Sequence, residues 1–237
     1  MRLKFLGTRG EVEESSKKHK YHSSLLVTYK GFKLLIDHGL LTKPLKTIKP
    51  DAILITHAHP DHFKWLKKDE DYKGKIYVTR ETKKASKFKK NFELINIYKW
   101  FKVGPFKILG YRVIHSLIAP AIGFKIKADK KIFVYNSDLI DIKRRSFILK
   151  GIDLYIGDGS TVTSSLVRRS KTQPSKIFGH TRIQTQINWC KKFRIKNAIF
   201  THFGKEPIGL GDKKLLKKLK TDSVHVKIAY DNMIVSL

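Results

Sequence analysis

Thr56-His57-Ala58-His59-Pro60-Asp61-His62 places three imidazoles and one carboxylate within six consecutive positions, a density that core packing does not ask for. Ala52, Ile53, Leu54 and Ile55 in front of it form a short apolar run of the kind a doubly covered strand shows. Pro60 cannot continue a hydrogen-bonded ladder, so the strand is expected to stop at Thr56–His57 and the His-rich stretch to be a loop at its C-terminal end. In extended backbone His57 and His59 project to one side, and a turn at Pro60 offers Asp61 and His62 to a neighbouring point. Two donor pairs aimed at two nearby positions suit two metal ions better than one. Imidazole nitrogen with carboxylate oxygen and no thiolate favours zinc, with manganese or iron(II) as alternatives. A polar loop that merely happens to be His-rich is the bland alternative, and spacing this dense argues against it.

The arrangement recurs downstream. Tyr111-Arg112-Val113-Ile114 runs into His115, and Lys131-Ile132-Phe133-Val134-Tyr135 runs into Asn136-Ser137-Asp138. Ile177-Phe178-Gly179 runs into His180, and Ala198-Ile199-Phe200-Thr201 runs into His202. If those strands lie in packed sheets with their C-terminal ends on one edge, residues far apart in sequence meet in one cleft. Six of the ten histidines are then used. Ser24 to Thr28 and Phe32 to Ile36 read as a hairpin about Lys30-Gly31, which puts Asp37 at another strand end.

His57-Ala58-His59-Pro60-Asp61-His62, followed by a later His, a later Asp and a last His after an apolar strand, resembles the metallo-β-lactamase fold superfamily. The resemblance runs from Phe5-Leu6-Gly7-Thr8-Arg9-Gly10, similar to the opening of ribonuclease Z-like members, to Phe200-Thr201-His202-Phe203-Gly204. It implies an α/β fold, a four-layer αββα sandwich, and one hydrolase domain over 1–237. It further implies that His57, His59 and His115 hold one metal, that Asp61, His62 and His202 hold a second, and that Asp138 bridges them. Such a pair lowers the pKa of a shared water and neutralises charge on phosphorus during displacement, and Asp61 could also orient that water. In relatives an Asp at the place of Asp37 braces the His-rich loop from behind. His180 stands 22 positions before His202, similar to the ribonuclease Z-like branch, where a His gives a proton to the leaving oxygen. Leu154-Tyr155-Ile156-Gly157-Asp158-Gly159-Ser160 lies where that branch carries His-Glu-Ala-Thr, so Asp158 would take the place of the Glu and orient His180; a plain Asp-Gly turn is the competing reading. Only residues 116–137 separate His115 from Asp138, which leaves no room for the Gly/Pro-rich arm with which ribonuclease Z grips transfer RNA.

The chain of 237 residues carries 50 Lys or Arg against 20 Asp or Glu, a formal charge of +30. Self-repulsion on that scale is naturally explained by a polyanionic partner. Adaptation to heat enriches Glu alongside Lys, whereas this sequence has seven Glu. A lysine-rich source composition competes with that reading. Basic residues gather at 64–90, where eleven face four acids, and again at Lys143-Arg144-Arg145, at Arg168-Arg169-Ser170-Lys171 and from Lys213 to Lys220, the last read as a surface helix. Phe63–Lys68 and Arg80–Lys90 read as helices with basic outer faces. This scatter fits contacts to a phosphate backbone, of DNA or RNA, better than base reading. His19 and His22 read as exposed spectators in a polar loop. Cys190, the single cysteine, falls in a helical pattern, Ile187–Phe193, and reads as a packed thiol. With no long apolar run and no leader-like N-terminus, a cytoplasmic protein without membrane contact is expected. The reading reached is a two-metal phosphodiesterase or nuclease. A small-molecule hydrolase acting on a cyclic phosphodiester, lactone or thioester is the alternative, and a non-catalytic nucleic-acid binder ranks third. Oligomeric state is not legible.

Overall fold

A computed structural model describes residues 1–67 and 71–237. Lys68, Asp69 and Glu70, part of the basic segment and of the helical reading above, lie outside the described residues.

Two large sheets face one another. The first runs in the order Ile234–Ser236, Arg2–Gly7, Ser24–Tyr29, Phe32–Ile36, Ala52–Leu54, Lys75–Val78 and Phe92–Leu94. The second runs Asp141–Ile142, Phe106–Ile114, Ile122–Ala128, Lys131–Tyr135, Leu154–Asp158, Asn197–Thr201 and His225–Ile228, with Trp100–Val103 also paired to Phe106–Ile114. Period-two alternation decides which side chains go inward. Leu34, Ile36 and Leu54 join Phe133, Tyr135, Ile156 and Ile199 in the core between the sheets. The intervening Leu35 and Ile53 turn outward onto Leu45, Ile48, Phe63 and Trp65. On the far side Val134, Tyr155, Ala198 and Phe200 pack against the helices Arg145–Leu149, Ile183–Lys192 and Asp212–Leu219. Short helices, sheet, sheet and helices are therefore stacked in the αββα order that the resemblance implies.

Each sheet is antiparallel on one flank and parallel on the other. Phe32–Ile36, Ala52–Leu54, Lys75–Val78 and Phe92–Leu94 run parallel, as do Lys131–Tyr135, Leu154–Asp158, Asn197–Thr201 and His225–Ile228. Their C-terminal ends open the edge at which ligand-binding residues gather in such sheets.

Four local expectations are corrected. The strand before the His-rich loop spans Ala52–Leu54, because the Thr56 amide turns away to Asp37 Oδ1 (2.8 Å). The helix expected over Arg80–Lys90 stops at Ala85, where Ser86 Oγ bonds both the N–H and the C=O of Phe88 and diverts the backbone. Phe63–Lys68 yields one 3₁₀ turn, Lys64–Leu66. Ile177–His180 belongs to neither large sheet; it pairs with Leu166–Arg169 in a separate two-stranded ribbon.

His19 and His22 are buried, against the expectation of exposure. His19 is held between Thr8 Oγ1 and Asp212 Oδ1, 2.8 Å from each, so the loop it belongs to is tied to the last helix. His22 is pushed down to about 4 by burial and takes a hydrogen bond from the Leu41 amide.

Candidate metal centre

The loop after Leu54 delivers its side chains in a compact set because its backbone folds back on itself. The amides of His62 and Phe63 both bond the His59 carbonyl, at 3.0 and 2.8 Å, and His38 N–H bonds the His62 carbonyl. Gly39 is required by close approach: a Cβ there would stand 1.9 Å from the Asp61 carbonyl oxygen. His57, His59 and His115 bring one donor nitrogen each into a common group, and Asp61, His62 and His202 form a second; within each group the donor atoms lie within 4.8 Å of one another. Asp138 lies between the two groups. Its Oδ2 is 3.2 Å from His57 Nε2 and 2.9 Å from His62 Nε2, and its Oδ1 is 2.7 Å from His202 Nδ1. All seven residues proposed as ligands from sequence are thus brought to one place: His59, Asp61, His115, Asp138 and His202 line a cavity of about 830 Å³, and His57 and His62 lie fully buried among them.

Behind this floor, Asp37 accepts from the Thr56 amide and, at 2.8 Å, from His62 Nδ1. That bond puts the His62 proton on Nδ1 and leaves Nε2 for the cavity side. Thr56 Oγ1 and the Gly179 carbonyl stand 3.0 and 3.1 Å from Nδ1 of His57 and His115 and fix those rings in the same way. Gly10 lets the backbone approach the His202 ring, from which an added Cβ would be 2.9 Å away.

His180 reaches the rim of the floor from the ribbon. Its Nδ1 donates to Asp158 Oδ2 at 2.7 Å and lies 3.8 Å from Asp138 Oδ1. Asp158 closes its strand with no exposed surface and is held by more than a turn. Its carboxylate takes hydrogen bonds from the Leu139 amide, the Ser160 amide and Ser160 Oγ, and Gln186 bonds both its N–H and its C=O. Sequence reading missed Ser160 and Gln186. Ser160 directly follows the Asp158-Gly159 pair, where such a turn places a hydroxyl, so its signal was present. Gln186 has none, since only the fold brings a mid-helix amide to that strand.

Electrostatics follow from four carboxylates, Asp37, Asp61, Asp138 and Asp158, buried together. Burial opposes the charge of Asp61 and Asp138, yet the imidazoles of His62 and His202 outweigh it and hold both carboxyls well below their usual range. Asp158 is drawn down to about 2: burial would raise it, and the charge and hydrogen bond of His180 prevail. Burial alone would depress His180, but the Asp158 carboxylate raises it above its ordinary value. His57 and His59 are lowered and His115 falls to about 4, chiefly through burial.

The residues fit divalent cations. His62 Nε2 lies 3.0 Å from Asp61 Oδ2 and is fully buried, but it has no aligned hydrogen-bond partner among the described residues, and neither does Asp138 Oδ1. Two buried polar atoms left without an aligned partner, in a converging set of imidazoles and carboxylates without thiolate, suit zinc, manganese or iron(II).

A model of the beta-lactamase superfamily domain matches residues 35–203. Among curated proteins, ribonuclease Z of Methanopyrus kandleri is 39% identical over 66 residues, a stretch covering 25% of this chain and 23% of that protein. The match thus spans about a quarter of the relative's length. Among solved structures, a diphosphatase from the PhnP family superposes with a TM-score of 0.71 at 18% identity, covering 99% of this chain and 97% of the other. The short form of human tRNase Z superposes with a TM-score of 0.64 at 18% identity, covering 100% of this chain and 99% of the other. Likeness at such identity concerns the fold.

Proposed function

The chain belongs to the beta-lactamase superfamily and has its metal-dependent hydrolase fold; from that premise we propose that it is a two-metal phosphodiesterase cleaving nucleic acid. The observation that carries this reading is the seven-donor floor with an Asp158-backed imidazole at its rim. In this reading His57, His59 and His115 hold one ion, Asp61, His62 and His202 the other, and Asp138 serves both, with zinc favoured by the donor set. The ions, when bound, supply Lewis acidity that activates water and neutralises charge building on the phosphoryl oxygens.

The chain's own residues supply the rest. Asp61, beyond its place in the donor set, has a carboxylate positioned to orient the attacking water. Asp158 accepts the Nδ1–H of His180 in a hydrogen bond, which leaves Nε2 of that ring for the cavity it lines. The Asp158 carboxylate favours the protonated imidazole, which can pass its Nε2 proton to the leaving oxygen, a role worth about 10²–10⁴ in rate. The +30 charge draws a polyanion to the protein. Some of the basic groups are already engaged: Arg145 pairs with Asp141 and lies over Trp189, and Arg144 lies over Tyr98 and Phe147. Residues 116–137 are taken up by the strands Ile122–Ala128 and Lys131–Tyr135 and their connections, so a protruding tRNA-gripping arm has no place there and 3′-end maturation of tRNA is not the activity proposed. No helix among the described residues is long and apolar enough to cross a membrane, and we place the protein in the cytoplasm.

Metal analysis of the purified protein, coupled to a cleavage panel of single- and double-stranded DNA and RNA at two salt concentrations, tests the proposal. Metal-dependent cleavage that weakens as salt rises is expected. Metal-loaded protein that leaves every nucleic acid intact while hydrolysing small esters refutes it. That outcome would favour the second reading, a small-molecule phosphoester, lactone or thioester hydrolase, which the likeness to a diphosphatase supports.

A further inference from the structure

A second cavity, of about 470 Å³, adjoins the first and shares His59, His115, Leu166 and His180 with it. Its walls are of two kinds. One is the ribbon, whose pairing sets Leu166 opposite His180 and Arg168 opposite Phe178. Cross-strand partners and residues two apart share a face, so Leu166, Arg168, Phe178 and His180 all present to this cavity, while Val167, Arg169 and Ile177 turn away. The other wall is the loop after His115, with Leu117 and Ile118. Ile118 is 91% exposed, an unusual setting for a large apolar side chain.

From this arrangement we infer that the cavity is the subsite for the nucleotide on the leaving side of the scissile bond, with its base between Phe178 and the Leu117–Ile118 loop and its next phosphate on Arg168. The inference rests on the phosphodiesterase reading above and adds a place and a polarity to it. Polarity follows from His180. The imidazole that protonates the leaving oxygen and the ring of Phe178 lie on one ribbon face, two residues or about 6.7 Å apart along the strand. Whatever group departs toward His180 therefore meets Phe178 and Arg168 next.

Chemistry selects the occupant. An aromatic ring opposed by aliphatic side chains accepts any base by its flat face and reads none of its edges. Arg168 has no acidic partner among the described residues, and the ribbon carries Arg168, Arg169, Lys171 and Lys176 with no Asp or Glu between residues 159 and 205. An acyl chain would satisfy the apolar walls but leave that guanidinium without a counterion. A sugar phosphate bearing a base satisfies both.

The ribbon also ties this subsite to the floor. Gly179 donates its N–H to the His115 carbonyl at 2.7 Å and offers its own carbonyl to His115 Nδ1. Its φ of +121° suits glycine, and an added Cβ would stand 1.8 Å from the Leu166 carbonyl oxygen, so the two strands approach too closely for any other residue.

The test compares dinucleotide-length substrates with a base or an abasic sugar on the leaving side. For the metal-loaded wild type, the base-bearing substrate is expected to have the higher kcat/KM. Phe178→Ala should shrink that preference about 5- to 150-fold, the range that one lost stacking contact gives. Arg168→Met should cost more on a substrate that carries a further phosphate than on one that lacks it. Val167→Ala, on the outward face of the same strand, should leave both ratios where they are. Binding of a labelled oligonucleotide to metal-free protein, read by fluorescence anisotropy, should weaken with Phe178→Ala in parallel. Equal losses on base-bearing and abasic substrates, or an undiminished preference in Phe178→Ala, overturn the subsite and leave the phosphodiesterase reading standing. A wild type that cleaves no nucleotide substrate of either kind overturns both.

Discussion

Asp37→Asn isolates the support of the proposed metal centre from its donors. The carboxylate touches no cavity, yet it accepts from the Thr56 amide at 2.8 Å, from Thr56 Oγ1 at 3.0 Å and from His62 Nδ1 at 2.8 Å. An amide of the same shape keeps the Thr56 bonds through its carbonyl. Its NH₂ then faces His62 Nδ1, and two donors cannot share that gap. The imidazole resolves the conflict by moving its proton to Nε2, the atom that lies 3.0 and 2.9 Å from the Asp61 and Asp138 carboxylates. The lone pair meant for a cation is lost. A supporting hydrogen bond of this kind is worth about 10- to 100-fold in metal affinity, or about 1.4–2.7 kcal/mol. Metal-free stability should change less. The lost charge-assisted bond costs about 1.5–3 kcal/mol. However, burial already pushes the Asp37 carboxyl above its ordinary value, so the neutral isostere recovers part of the cost of hiding a charge. Competition with a chromophoric chelator gives the affinity, and melting in chelator gives the stability. In a His62→Ala background, Asp37→Asn should alter affinity by no more than about twofold, because its route of action is gone. Affinity in Asp37→Asn within twofold of wild type, with the protein folded, would refute the argument that the His62 tautomer is set from behind.

Chelation should abolish phosphodiester cleavage and lower the melting temperature by an amount that grows with the metal concentration restored, since an ion bound only by the folded chain stabilises it by mass action. His180→Gln should lower kcat about 10²- to 10⁴-fold on an oligonucleotide, whose leaving alkoxide needs a proton, and far less on a p-nitrophenyl ester, whose leaving phenolate does not; equal losses on both would remove the proton-donor role. Raising salt should depress cleavage of long oligonucleotides steeply and leave p-nitrophenyl esters nearly unaffected, a contrast read from kcat/KM at two ionic strengths. Cys190 should resist thiol reagents at pH 8 and react once denaturant is added, because burial pushes it up to about 12. Its unfolded value is about 8.5, so the proton it keeps on folding adds stability that is full below that pH and is lost as pH climbs toward 12. Labelling at pH 8 as fast in the native protein as in guanidinium would contradict its burial.

What could be read from the sequence divides along a physical line. Strand-end donors were legible because a parallel strand buried on both faces leaves a continuous apolar run, and the first polar residue after it must sit at the sheet edge. Ile199-Phe200-Thr201-His202 and Phe133-Val134-Tyr135-Asn136 announce themselves in that way. The same logic misplaced Ile177-Phe178-Gly179, which has an equally apolar run but pairs only with Leu166–Arg169 and keeps all four of its residues half-buried. Apolar content cannot tell a core strand from one that walls a cavity. His19 and His22 failed for the opposite reason: polar neighbours imply solvent, and the partners that offset the burial of His19, Thr8 and, across nearly the whole chain, Asp212, lie outside its own loop. The helix ends at Ala85 because a single hydroxyl, Ser86 Oγ, captures the next backbone groups, a choice between near-equal local bonds that charge pattern does not encode. The misses at the buried histidines and at Ile177-Phe178-Gly179 share a form. Each depends on a partner that local pattern does not name, whereas the metal donors depend on strand chemistry that is local. The ribbon lies on that boundary. Its His180 was found by spacing and its Arg168 by charge, but that both look into one cavity with Phe178 follows from a cross-strand register, and register is the one quantity that no single strand's sequence holds.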